Sequence, residues 1–263
     1  MKQIILTLAV LGLLCGTAMA GTHTGDRWTA TGTAGYINQA TPTGINDAVW
    51  ATANTYNCDV TQEASNTPHY RTTAEKTDCS GTWKALWDSS KLYILVTVQD
   101  NTHTNGGSTE WIGDSIEIYI DPTNAKHTTY SGKDTQTGIQ YRGGTYLCTT
   151  YGSKENMDLA HVINDGGVSL PNYTMMVTYE WAGSGNAMLN TTGTLNKVFG
   201  LTVYVDDADT GTTHNCDACW GTNYTYLYDD LSSIPTVQLA PEPATLALLA
   251  IGGIGMLVRR RRS

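Results

Sequence analysis

The chain has 263 residues, 15 basic and 24 acidic side chains, and a formal net charge of −9 at pH 7. The basic cluster Arg259–Arg262 stands at its far end, so the rest of the chain is more acidic still. A surface of that sign repels phosphate backbones, which excludes nucleic-acid binding. The 27 glycines and the single phenylalanine suit short strands and polar loops.

Residues 1–20 have the three parts of a secretory signal peptide. Lys2 gives a positive start, an apolar stretch follows, and Ala18-Met19-Ala20 is a small-residue cleavage site. We expect a flexible Gly/Thr-rich leader over residues 21–35 and one folded body over residues 36–240.

Short strand-like segments separated by turn residues follow one another along the body. Trp83–Trp87 and Lys91–Gln99 flank the turn residues Asp88-Ser89-Ser90 and form the clearest hairpin. Further strand candidates are 115–121, 138–141, 173–181, 198–205 and 235–239. No long stretch has a 3.6-residue period, so the pattern predicts an all-β fold, an antiparallel two-sheet β-sandwich.

The segment 115–121 alternates strictly. Its three isoleucines point one way, and Ser115, Glu117 and Tyr119 point the other. We expect the isoleucines in the core and the polar side chains on a face open to solvent or a ligand. The period alone is equally typical of an ordinary strand with a polar outer face.

Five of the six cysteines lie in the body, and in an exported protein they are expected to form disulfides. The preferred pairs are Cys58 with Cys79 and Cys216 with Cys219, which leaves Cys148 unpaired. Cys148 could instead pair with one of the late cysteines. The Cys216-x-x-Cys219 spacing also matches half a zinc site or a redox motif, but no second CxxC occurs, so a loop disulfide is favoured.

Asp206, Asp207 and Asp209 are closely spaced carboxylates on a predicted turn. Oxygen ligands of this kind could hold a structural Ca²⁺ ion, although the spacing is not that of an EF-hand loop. A solvated turn is the alternative. No other cofactor is expected.

The segment 241–263 has three parts of its own: Pro241-Glu242-Pro243, an apolar run, and Arg259, Arg260, Arg261 and Arg262. The apolar run is at the short limit for a transmembrane helix, and the arginines would stay on the cytoplasmic side. A plain tail anchor has these features too. The three parts in this order resemble the PEP-CTERM sorting signal of Gram-negative bacteria. That resemblance implies transient anchoring in the inner membrane, processing by an exosortase-type enzyme, and delivery to the cell surface or extracellular matrix.

Several separated motifs of the body occur in the order found in family 9 carbohydrate-binding modules, which the chain resembles from about residue 42 to residue 239. The motifs are Ile45–Trp50, Leu86-Trp87-Asp88 with Leu92-Tyr93-Ile94, Trp111 with Asp114–Asp121, Tyr173–Trp181, Gly200–Asp209 and Trp220. The resemblance implies a jelly-roll or immunoglobulin-like β-sandwich.

The resemblance also implies a sugar site in which two aromatic rings enclose a terminal sugar. Trp111 stands at the first aromatic position, and counting forward from Trp220 places Tyr228 at the second. Glu117 matches a hydroxyl-binding carboxylate, and Gln140 falls where an amide side chain is expected. The chain departs from the family at Gly138, where binding members carry an arginine.

The sequence therefore predicts a non-catalytic module whose partner is a polysaccharide or exopolysaccharide. A structural surface protein that keeps the sandwich without sugar binding is the alternative, and a glycan-active enzyme is a third. No G-x-S-x-G, H-E-x-x-H or P-loop motif occurs. His103, His127, His161 and His214 lie in polar stretches, and we expect them to be exposed rather than ligating.

Overall fold

The fold is built almost entirely from β-strands, as a computed structural model shows. The structure describes residues 22–24, 27–29, 35–62, 69–105, 112–130, 134–141, 146–152, 157–163, 171–181, 193–210, 216–221, 227 and 230–241. The signal peptide and residues 242–263 of the sorting signal lie outside this part of the chain. Within it, no helix is both long and apolar enough to span a membrane.

The strands in chain order are β1 (Thr22–Thr24), β2 (Arg27–Thr29), β3 (Gly35–Gln39), β4 (Thr55–Asn57), β5 (Val60–Gln62), β6 (His69–Tyr70), β7 (Cys79–Trp87), β8 (Lys91–Asp100), β9 (Ser115–Asp121), β10 (Thr135–Tyr141), β11 (Tyr146–Gly152), β12 (Met157–Ile163), β13 (Tyr173–Glu180), β14 (Val198–Asp207), β15 (Cys216–Cys219) and β16 (Thr236–Ala240). A 3-10 helix covers Ala48–Thr52, and α1 covers Thr73–Asp78.

The β7–β8 hairpin forms where the sequence predicts it. Asp88 fixes the turn, because its Oδ1 accepts hydrogen bonds from the Ser90 and Lys91 amides at 2.7 and 2.8 Å. Its Oδ2 accepts from the Tyr93 hydroxyl at 2.7 Å, which ties the turn to the following strand. A single short side chain thus satisfies the backbone donors that the reversal exposes.

Fourteen of the sixteen strands that the structure describes form one hydrogen-bonded sheet rather than two, and β1 and β2 pair only with each other. The order of the large sheet is β11-β10-β9-β14-β16-β3-β7-β8-β13-β12, with β4, β5, β6 and β15 attached beside this path. The prediction of purely antiparallel sheets is wrong at one place, because β3 pairs in parallel with both β16 and β7. Strand β3 therefore joins an antiparallel half that contains β9, β10 and β14 to one that contains β7, β8 and β13.

The two halves pack face to face around one core. A Cβ atom built on Gly81 of β7 would lie 2.4 Å from Cγ2 of Val205 on β14, which places these strands in direct contact. Trp181 and Phe199 meet edge to face with ring centroids 5.8 Å apart. The isoleucines of β9 are buried in this core, as predicted, and so are the alternating residues of β8; the two sets are Ile116, Ile118 and Ile120, and Leu92, Ile94, Val96 and Val98.

Both faces of β8 are covered, which its alternating sequence does not indicate. A second cluster packs Tyr93 and Leu95 against Ile45 and Trp50, which lie at the 3-10 helix. The side chain of Asp47 caps that helix by accepting from the Val49 amide at 2.9 Å. The segment Ile45–Trp50 therefore delivers its apolar side chains to the outer face of a strand.

Helix α1 is not among the elements predicted from the sequence, whose pattern indicates only strands. Thr72 and Glu75 form a capping box, in which the Thr72 amide donates to Glu75 Oε2 at 2.5 Å and the Glu75 amide donates to Thr72 Oγ1 at 3.3 Å. The pattern T-x-x-E at this position was the signal that could have revealed the helix.

The predicted disulfides are wrong where the structure describes the cysteines. Cys58, Cys79 and Cys219 carry thiols. The Cys58 amide bonds to the Gly81 carbonyl, two residues along β7 from Cys79, which is about 6.6 Å of strand. Cys216 stands three residues before Cys219 on β15, and its side chain lies outside the described part of the chain. The side chain of Cys148 lies outside the described part of the chain.

Candidate functional site

The polar side chains predicted to form a site share one face of three neighbouring strands. Glu117 of β9 lies directly opposite Gly138 of β10 on one side and Tyr204 of β14 on the other. Ser115 lies opposite Gln140 and Asp206 in the same way. Because side chains alternate along a strand, these residues all project away from the isoleucine face. The structure therefore brings Glu117 and Gln140 together on one face.

The carboxylate of Glu117 is held by two neighbouring side chains. Gln136 Nε2 donates to Glu117 Oε1 at 3.0 Å, and the Tyr119 hydroxyl donates to Glu117 Oε2. Gln136 also lies 3.2 Å from the Tyr119 hydroxyl, so the three groups form a closed network. Such a network fixes the direction of the carboxylate oxygens. Gln136 was not among the residues predicted from the sequence, although it follows the same alternation along β10 as Gln140.

The polar face is covered rather than open. Tyr119 and Tyr204 pack together with ring centroids 5.0 Å apart, and Leu227, Leu231 and Ile234 pack onto them. Glu117 keeps 9% of its surface exposed, and Gln140 is fully buried. The expectation of a face open to solvent is wrong, since the alternation of one strand says nothing about which later loop folds over it.

Two further buried carboxylates lie close to Glu117, on the neighbouring strands β14 and β15. Asp206 and Asp217 are cross-strand neighbours on β14 and β15, and the Ser115 hydroxyl donates to Asp206 at 2.6 Å. Burial and then repulsion from Glu117 raise the pKa of Asp206 well above its usual range, and they raise the pKa of Asp217 to about 7. Near neutral pH the pair therefore retains a proton that solvated carboxyl groups would lose.

The two aromatic residues predicted to enclose a sugar, Trp111 and Tyr228, lie outside the described residues. Trp220, from which Tyr228 is counted, packs 5.2 Å from Trp83 and 4.7 Å from Tyr56 between ring centroids. Trp220 is partly buried and packs against the core cluster that contains the isoleucines of β9. Trp50, Trp83, Trp87 and Trp181 are buried, as expected of structural residues.

The three carboxylates predicted to hold calcium do not converge. Asp206 and Asp207 are successive residues of β14, so their side chains leave opposite faces of the strand. Asp206 contacts Ser115, whereas Asp207 lies within 4.8 Å of Cys79 and Asp100, and Asp209 is exposed. Calcium at this turn stays a prediction.

One histidine departs from the expectation of exposure. The side chain of His103 is 4% exposed, and its Nδ1 lies 3.3 Å from an oxygen of Asp114. Asp114 also accepts a hydrogen bond from the Ala208 amide at 2.7 Å, so it fastens the segment before β9 to the end of β14. His127 is partly exposed and bonds to Asp134 at 2.7 Å.

Comparison with known proteins accounts for most of the chain. Residues 43–240 match the family described as carbohydrate family 9 binding domain-like, and residues 239–262 match the PEP-CTERM protein-sorting motif. Both resemblances inferred from the sequence motifs are thereby confirmed.

Among individual proteins, endo-1,4-beta-xylanase A of Thermotoga maritima is 29% identical over 126 residues, 48% of this chain and 11% of that protein. Endo-1,4-beta-xylanase A of Thermoanaerobacterium saccharolyticum is 39% identical over 66 residues, which are 25% of this chain and 5% of that protein. The chain thus matches only a small part of the length of these curated relatives.

Two solved structures of a family 9 carbohydrate-binding module from Caldicellulosiruptor kristjanssonii share the fold. The complex with cellotriose has a TM-score of 0.61 at 17% identity and covers 79% of this chain and 93% of that one. The complex with glucose has a TM-score of 0.60 at 17% identity and covers 78% and 95%.

Proposed function

The chain belongs to the carbohydrate family 9 binding domain-like family, and from that premise we propose that it is a non-catalytic module that binds the end of a glycan chain. The observation that carries the proposal is the network around Glu117, in which Gln136 and Tyr119 orient a carboxylate on the polar face of β9. The face-to-face packing of the two halves supports placing the fold among β-sandwiches. Its type, jelly-roll or immunoglobulin-like, stays a prediction.

The chemistry of this face suits a pyranose. A sugar presents hydroxyl groups at its rim, and each loses water on binding, so each needs a charged or amide partner. Glu117 and Gln136 keep 9% and 7% of their surface exposed, so a carboxylate that accepts and an amide that donates and accepts border this face, whereas Gln140 is fully buried. Trp111 and Tyr228 would supply aromatic surface for the C–H faces of the ring.

The sorting motif indicates export and sorting at a bacterial membrane. We infer that the apolar run after Pro243 anchors the protein transiently, and that an exosortase-type enzyme removes it. The product would reach the cell surface or the extracellular polymer. A polysaccharide of that polymer is then the ligand within reach of the module.

A second candidate is a structural surface protein that has kept the fold and lost sugar binding. Gly138 favours it, since the position directly opposite Glu117 carries no side chain where the family resemblance leads us to expect an arginine. An arginine would offer two parallel hydrogen bonds in fixed geometry, and a glycine offers none. A glycan-active enzyme is a third and weaker candidate.

Isothermal calorimetry and affinity electrophoresis decide among these candidates. The folded body is titrated with cello- and xylo-oligosaccharides and run through gels that contain plant or bacterial polysaccharides. We expect binding by the wild type, a loss of tenfold or more in Glu117→Gln, about 1.4 kcal/mol, and no detectable binding by Trp111→Ala. Tyr36→Ala is the matched control. Tyr36 is 43% exposed, and the hydrogen bonds the structure shows at it involve its backbone.

The outcomes separate cleanly. Absence of binding to every glycan by a folded wild type would refute the proposal and favour the structural protein. Equal loss in Tyr36→Ala and Trp111→Ala would show that the effect is not local. Reducing sugar released during incubation would instead support the enzyme.

A further inference from the structure

Three buried side chains converge at one end of the fold, away from the Glu117 network. They are Cys79, the first residue of β7, Asp100, the last of β8, and Asp207, the last of β14. One ligand atom of each, the thiol sulfur or a carboxylate oxygen, lies within 4.8 Å of the other two. Their exposed fractions are 1%, 8% and 1%. Bulk water therefore does little to solvate these groups.

The three residues come from both halves of the sheet. Cys79 and Asp100 are direct cross-strand neighbours in the β7–β8 hairpin. Asp207 comes from the opposite half, two residues beyond Val205, where β14 touches Gly81 of β7. The cluster therefore sits where the two halves meet.

The side chain of Asp100 indicates that a ligand binds at this cluster. Its Oδ1 accepts from the Thr102 amide at 3.1 Å, but its buried Oδ2 has no hydrogen-bond partner. A buried carboxylate oxygen without a partner is destabilising unless a proton or a cation compensates it. A bound cation would supply that compensation.

The donor set selects the kind of cation. Ca²⁺ takes about 6–8 oxygen ligands, and a thiol is a poor substitute for any of them. A thiolate with two carboxylates suits Zn²⁺, whose tetrahedral bonds of about 2.0–2.3 Å place neighbouring ligand atoms roughly 3.3–3.5 Å apart. The three ligand atoms lie within 4.8 Å of one another here, so they must draw closer to hold the ion.

We propose that Cys79, Asp100 and Asp207 form a site for a thiophilic divalent cation, Zn²⁺ in the cell envelope, with water in the fourth position. The ion clips the β7–β8 hairpin to β14 and so holds the two halves together at this end. Only Asp207 is shared with the calcium site predicted from the sequence. The Zn²⁺ site does not depend on sugar binding.

Cadmium titration tests the site on the unmodified chain. The purified protein is stripped with chelator, and Cd²⁺ is added while the ultraviolet absorption of the sulfur-to-metal charge transfer is recorded. We expect a band that saturates at one ion per chain. In parallel, Zn²⁺ at one hundred times its Kd should raise the midpoint of thermal unfolding by roughly 5–10 °C.

Two variants and a control locate the ligands. Cys79→Ser should abolish the band, and Asp100→Asn should keep the band but weaken Cd²⁺ binding by tenfold or more. Cys58→Ser is the matched control, because Cys58 is an equally buried thiol near the same strand outside the cluster. It should leave the band unchanged. The wild-type band is informative even if a variant fails to fold.

Three results would overturn the inference. They are the absence of a band in the wild type, a band that persists in Cys79→Ser, and a midpoint raised by Ca²⁺ but not by Zn²⁺. The last would identify an oxygen-ligated calcium site instead.

Discussion

Replacing Gly81 by alanine tests the contact that closes the fold. The new Cβ atom would lie 2.4 Å from Val205 Cγ2, whereas ordinary contacts of this kind begin at 3.4 Å. One of the two strands must therefore move by about 1 Å, or Val205 must leave its rotamer, which a β-branched residue resists. Overpacking of a closed core of this kind costs about 1–3 kcal/mol.

The sign of the effect is informative in itself. In a strand without this contact, alanine would stabilise relative to glycine by about 0.5–1 kcal/mol, because glycine loses more backbone entropy on folding. We therefore expect Gly81→Ala to lower the midpoint of thermal unfolding by roughly 2–10 °C. Ser80→Ala is the control, since Ser80 faces the other side of β7 and should shift stability by no more than about 0.5 kcal/mol.

A double-mutant cycle assigns the effect to Val205. Val205→Ala removes two methyl carbons and should cost roughly 1.5–2.5 kcal/mol, but it also makes room for the new Cβ atom. The double variant should then be no less stable than Val205→Ala alone, measured by urea unfolding. Strictly additive effects, or a neutral Gly81→Ala, would refute the placement of β7 against β14.

Three further outcomes follow from single side chains. Burial alone would raise the pKa of Asp88, but hydrogen bonds from Ser90 and Tyr93 outweigh it and lower the pKa to about 2. Asp88→Asn should therefore be less stable than the wild type above about pH 4. Urea unfolding should show this difference in stability shrinking toward pH 2. Burial and the charge of Glu117 raise the pKa of Asp217 to about 7, so the wild type should lose stability as the pH rises from about 4 through 7, and Asp217→Asn should flatten that slope in the same assay. Gly138→Arg places a guanidinium opposite Glu117 and should raise affinity for cello-oligosaccharides about tenfold by calorimetry; unchanged affinity would show that this position does not face the sugar.

The strands could be predicted because their signal is local. The alternation of Leu92, Ile94, Val96 and Val98 marks β8, and a short turn at Asp88 marks the hairpin. Strands β11, β12 and β15 were missed, since polar segments such as Cys216–Cys219 form strands by pairing with a neighbour rather than by their own pattern. The disulfide prediction was wrong for a related reason, because spacing along the chain does not show how far apart two cysteines lie in the folded protein.

The candidate site was predictable only in part. Alternation and the family motifs place Glu117 and Gln140 on one face, and the register of β9 and β10 agrees. Neither shows that Gln136 orients the carboxylate or that Leu227, Leu231 and Ile234 cover it. Those contacts join residues far apart in the chain.

The sequence alone determined the class of fold, the core face of β9, the family and the sorting motif, because each rests on residue patterns within a short segment or on several such patterns in order. Only the tertiary structure decided that β3 joins the two halves in parallel and that Asp207 meets Cys79 and Asp100. The physical reason is that burial and cross-strand register depend on which distant segments pack together, and a period of two fixes a face without naming its partner.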